Sequence, residues 1–95
     1  MPAMDRPDLY VVARILDRLW ASNGPMLRTH LQVASNVNYD IFSRYLGWMQ
    51  DRELVYLEDS ADGHVRVGLT EKGQDAYRKI VQWISEVVQG RMPGT

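Results

Sequence analysis

The stretch VASNVNYDIFSRYLGWMQ, residues Val33 to Gln50, changes character partway along. It opens on a polar corner, Ser35-Asn36-Val37-Asn38. It continues with Ile41, Phe42, Tyr45, Leu46 and Met49 at the three- and four-residue spacing of an amphipathic helix. Asn tolerates the left-handed backbone that a sharp helix–helix corner needs, so Asn36 is read as the turn. Asn38 stands where an N-cap belongs, and Asp40 lies close to the positive end of the new helix. The expectation is two short helices meeting at an asparagine corner.

The flanking sequence extends this pattern in both directions. Upstream, Pro25 can open a short helix over Met26–Ala34 with Leu27, Leu31 and Ala34 inward. Before it, Leu9, Val12, Leu16, Leu19 and Trp20 recur at helical spacing, widened by Val11, Ala13 and Ile15. Pro7 suits the first helical position, with Asp5 or Arg6 just outside, and Ser22-Asn23-Gly24-Pro25 is a strong stop. Downstream the period shortens. Leu54–Leu57 reads as a strand, Ser60-Ala61-Asp62-Gly63 as a hairpin turn, and His64–Leu69 as the returning strand. Thr70 caps a last helix from Glu71, whose stripe is Ala76, Tyr77, Ile80, Val81, Ile84, Val87 and Val88; Gly90–Thr95 reads as a frayed tail.

The predicted order is α-α-α-β-β-α: a mainly α chain with a β-hairpin. That is the winged helix-turn-helix arrangement, in which the second helix of the corner can enter a DNA major groove. The 95 residues fit one domain, with the corner over about 26–52, the wing over about 54–69 and the C-terminal helix over about 71–89.

Composition excludes several classes. There is no cysteine, hence no disulfide framework, thiolate zinc site or cysteine nucleophile. No apolar run approaches the roughly 20 residues of a membrane span, and Met1–Asp8 has no signal-peptide pattern. A cytoplasmic protein is expected. His30 and His64 are far apart and without clustered carboxylates, so no metal site is expected. No nucleophile–base pair or phosphate loop appears, so neither an enzyme, a cofactor nor a small-molecule substrate is expected.

Net charge is −1, and its distribution is uneven. Residues 14–52 set five arginines against Asp17, Asp40 and Asp51, whereas residues 53–75 set Arg66 and Lys72 against six acids. Arginine supplies nine of the eleven cations, and it is the cation suited to bidentate contact with phosphate or guanine.

Five segments together resemble a known family: ILDRL at 15–19, NGPMLRTHL at 23–31, ASNVNYDIFSRYL at 34–46, LVYL at 54–57 and LTEKGQDAY at 69–77. From about Ile15 to Tyr77 the chain resembles the small archaeal winged helix proteins of the ArnR-like type, related to the archaeal 10-kDa DNA-binding winged helix proteins. The resemblance implies a DNA-binding transcription factor, often a homodimer through its last helix, with the third helix reading DNA. Two features depart from the family. Glu53 stands where the family usually has a helix-ending Gly, and the wing turn is surrounded by Glu58, Asp59 and Asp62.

The candidate contacts to double-stranded DNA follow from helix faces. On the third helix the polar face is Asn38, Tyr39, Asp40, Ser43, Arg44 and Gly47. Arg44 either meets a guanine edge or is a solvated charge. Asn38 caps, with or without a base contact, and Asn36 stands beside it at the corner. Tyr39 packs beneath the helix or touches phosphate. Arg28, Thr29 and His30 begin the preceding helix, where they meet the DNA backbone or form a solvent face. Arg66 reaches the minor groove or pairs with an acid such as Glu58. Tyr77, Ile80, Trp83, Ile84 and Val87 are the candidate dimer surface. The rival expectation is a winged helix that kept its interaction surface and lost DNA binding.

Overall fold

The computed structural model describes residues 6–88. It contains α1 (Leu9–Ser22), β1 (Met26–Leu27), α2 (Arg28–Ala34), α3 (Tyr39–Asp51), β2 (Val55–Asp59), β3 (Val65–Leu69) and α4 (Glu71–Trp83), which runs on as a π-helical segment, Ile84–Val88. The expected tail at Gly90–Thr95, residue 89 and Asp5 lie outside the described residues.

In α1 the buried residues are Val12, Ile15, Leu16 and Leu19, the stripe the periodicity predicts. Its start is corrected. Pro7 is not the first helical residue; Asp8 is the N-cap, and its carboxylate accepts the Tyr10 N–H at 2.9 Å. Leu9, placed on the inner stripe by sequence, is exposed because the core lies one turn further along. Asn23 ends the helix in the left-handed region, φ 56°, its N–H bonded to Trp20 O.

The segment after Pro25 is a second correction. Met26 and Leu27 do not begin a helix. They form β1, antiparallel to β3 with Met26 opposite Val67 and Leu27 opposite Arg66, so the sheet has three strands in the order β1-β3-β2. Two residues are too few to show a period of two. The strand exists because the second edge of β3 is there to pair with it.

The corner is built as its asparagines predict. Asn36 has φ 55° and donates its N–H to Val33 O at 3.0 Å. Asn38 is extended, and its Oδ1 accepts the Ile41 N–H at 2.9 Å. Phe42, Leu46 and Met49 then enter the core, while Ile41, expected inside, is 40% exposed. The arginines of α1 hold the corner from behind. Arg14 donates to Ser35 O and Arg18 Nε to Ala34 O, each at 3.0 Å. These carbonyls end α2 without intrahelical partners, and a guanidinium suits that negative end.

Past α3, Glu53 adopts φ 61°. Its N–H reaches Gln50 O and the Leu54 N–H reaches Met49 O, both at 2.9 Å. This is a Schellman ending with glutamate in the glycine position, at a cost of about 1–2 kcal/mol. Leu54 closes that motif, so β2 starts one residue later than expected, at Val55. In the hairpin, Tyr56 stands opposite Gly68, where any side chain would overlap its ring.

The segment Leu69-Thr70-Glu71-Lys72-Gly73 ties the junction of α3 and β2 to α4. Thr70 accepts the Gly73 N–H at 2.9 Å and donates its hydroxyl to Glu53 O. A methyl on Gly73 would overlap the Leu54 carbonyl oxygen. Further along α4, Tyr77 stacks on Trp20 with ring centroids 5.0 Å apart and donates its hydroxyl to Asp17 at 2.6 Å. That hydrogen bond, with burial and the Asp17 charge, raises the phenol's pKa above its usual 10.0. No helix of the described residues is long and apolar enough to cross a membrane.

Candidate nucleic-acid interface

α3 buries Phe42, Leu46 and Met49, so the residues half a turn away point outward. These are Asp40, Arg44, Gly47 and Asp51, all exposed. Arg44 has no hydrogen bond or ion pair among the described residues, which leaves its five donors available. An exposed acid stands toward each end of the same row.

One flank of α3 is tied to α2. The Arg28 guanidinium donates to Ser43 Oγ at 3.2 Å and lies over the Tyr39 ring, 5.7 Å from its centroid. Arg28 Nε is buried with no partner. Three residues that sequence lists separately are therefore one cluster at the helix–helix junction. The cluster orients the first two turns of α3, and the Ser43 hydroxyl proton remains free to donate outward. No sequence spacing announces this contact, because Arg28 and Ser43 come together only through the corner.

The remaining candidates sort by what they already hold. Thr29 and His30 are exposed on the first turn of α2. Asn36 and Asn38 are exposed, and the cap engages only the Asn38 oxygen, so its amide N–H₂ is available. Arg66 is different. Its Nε donates to Ser60 at 3.0 Å and a terminal nitrogen lies 4.0 Å from Asp62. The expected partner, Glu58, sits opposite it in the register but makes no ion pair with it. The physical reason is the turn, which holds the Asp62 carboxylate at the His64 N–H and sets Ser60 and Asp62 on the same side of Arg66 as its partners. Arg52 stacks over Trp48 at 4.2 Å, and Arg14 and Arg18 serve α2, so arginines near the corner are mostly engaged inside the fold.

Away from the outward row of α3, Leu9, Tyr10, Lys79, Ile80, Trp83 and Ile84 line one open, mainly apolar groove. Trp83 is 56% exposed and Val87 55%. Tyr77, expected with them, turns its ring and hydroxyl to Trp20 and Asp17 of its own chain. Leu9 and Tyr10 were not expected on this face; their place in the first turn of α1, ahead of the buried stripe, is the only sequence signal. Among the described residues no group of three metal-binding side chains occurs.

Comparison with known proteins agrees with this architecture. A family model described as winged helix-turn-helix matches residues 6–87. No curated protein matches the chain. Among solved structures, a MarR-family transcriptional regulator from Silicibacter pomeroyi superposes with a TM-score of 0.73 at 22% identity, over 90% of this chain and 57% of its own. A winged-helix DNA-binding protein from STIV gives 0.78 at 17% identity, over 87% and 96%. An S. aureus MepR mutant bound to an oligodeoxyribonucleotide gives 0.74 at 17% identity, over 90% and 64%. The chain thus spans little more than half the length of the MarR-family regulator.

Proposed function

The chain belongs to the winged helix-turn-helix family, and from that premise we propose that it is a sequence-specific, DNA-binding transcriptional regulator that sets α3 in the major groove. The carrying observation is Arg44, exposed and unpartnered on the outward row of a helix whose corner is fully formed. In this reading Arg44, the Asn38 amide and the Ser43 hydroxyl read base edges. Arg28, Thr29 and His30 meet phosphates and fix the register, with Asn36 and Tyr39 at the margin. The molecule is one winged helix domain of the archaeal ArnR-like type acting in the cytoplasm, a kinship supported by the five sequence segments given above. Two copies pair through Ile80, Trp83, Ile84 and Val87, joined by Leu9 and Tyr10. A two-fold dimer then reads half-sites about one helical turn, 34–36 Å, apart.

Fluorescence anisotropy on duplex DNA across a salt series tests this. With few free cations per protomer, log K against log salt should fall with a slope of about −2 to −4 for a dimer. Absence of binding at low salt, or binding indifferent to salt, overturns the reading. The acidic wing, whose arginine is held by its own turn, favours one second reading, a protein-interaction module without DNA contact. Sedimentation of Ile84→Asp beside the parent chain bears on pairing in both: two identical folded monomers would remove the dimer.

A further inference from the structure

Gly47 lies in the third turn of α3, where an exposed glycine is unfavourable relative to alanine. The fold supplies no reason for it. A Cβ at Gly47 would meet nothing within 4 Å, and its backbone is ordinary helix. The tightly placed glycines, by contrast, are explained: Gly68 makes room for Tyr56 and Gly73 for the Leu54 carbonyl. Gly47 is bare toward solvent, one turn after Arg44 on the same outward row.

Charge restricts what can approach this row. Asp40 lies before Arg44 and Asp51 after Gly47, and both repel phosphate. The stretch between them is where a polyanion can come close. We infer that Gly47 is the point of closest approach of α3 to DNA, a specificity-determining position where the missing side chain lets the helix backbone reach the groove. The inference rests on the DNA-binding reading. Close approach matters because Arg44 must meet a base edge at hydrogen-bond distance, and a bidentate contact does not survive a displacement of about 1 Å.

The prediction is that stability and binding move in opposite directions. Gly47→Ala should raise the melting temperature by about 4–8 °C, because the helix gains propensity and nothing is crowded. The same variant should lose at least about tenfold in specific affinity, with reduced discrimination among operator variants. Gly47→Leu should fall to the level of non-sequence-specific DNA while remaining folded by circular dichroism. Operators are first selected with the parent chain from random duplexes, and affinities are then measured by anisotropy. Alanine and leucine variants that bind the selected operator as the parent does overturn the inference and leave the DNA-binding reading standing. A parent chain that selects no duplex removes that reading, and the inference with it.

Discussion

The asparagine corner and the β-hairpin are both closed by local polar contacts, yet they leave different groups exposed. At the corner the contacts made by neighbours in sequence are uncharged, and Arg14 and Arg18 reach its carbonyls only from α1. Asn36 turns the chain through its backbone, Asn38 caps with its amide oxygen, and Arg44 stays free in the second turn of α3. In the hairpin the turn is closed with charge. Asp62 accepts the His64 N–H at 3.0 Å and draws Arg66 toward itself, while Glu58 and Asp59 remain exposed. The only hairpin cation is thus held by the hairpin's own turn. A region that could have shared phosphate contact presents acids instead, so in the proposed reading α2 and α3 do the work of binding DNA. The difference is one of charge: at the corner an amide oxygen completes the backbone turn, whereas in the hairpin the carboxylate that completes the turn also lies beside the arginine and pairs with it.

Both regions hang from one joint, and breaking it should have the largest effect. Gly73→Ala forces a methyl onto the Leu54 carbonyl where β2 leaves α3, so it should destabilise by about 3 kcal/mol or more, read by denaturant unfolding. The next effect separates the regions directly. Arg44→Ala should weaken operator binding by about 1–3 kcal/mol, roughly 5-fold to 150-fold, without shifting the melting temperature. Arg66→Ala should leave affinity within about twofold. Equal losses in anisotropy would mean that the wing binds DNA despite its acids.

Smaller effects test how the corner is held. Asn38→Ala removes the cap of α3 and should cost about 1 kcal/mol of stability by thermal unfolding; Asn38→Asp should restore it. Glu53→Gly should stabilise by up to about 1 kcal/mol, since glycine adopts φ 61° without the side-chain penalty. A melting temperature unchanged by Glu53→Gly would mean that the glutamate side chain offsets its strained backbone.

Helical period alone placed Val12, Ile15, Leu16 and Leu19 in α1 and Phe42, Leu46 and Met49 in α3, because a core-facing stripe must repeat every three or four residues. Capping chemistry placed Asn38 and Thr70, since each acts on backbone within three residues of itself. Both rules are local, and a local rule can be read from a chain. The third strand, the Arg28–Ser43 contact, the arginines that hold the end of α2 and the pairing of Arg66 with Asp62 rather than Glu58 were settled by tertiary structure. In all but the last, the partners lie at least about fifteen residues apart, and no spacing rule connects them. Arg66 and Asp62 are near neighbours, but which acid the arginine meets depends on how the turn folds back. The availability of each candidate side chain for DNA was decided in the same way: sequence showed which cations the chain has, and packing determined which of them remain free.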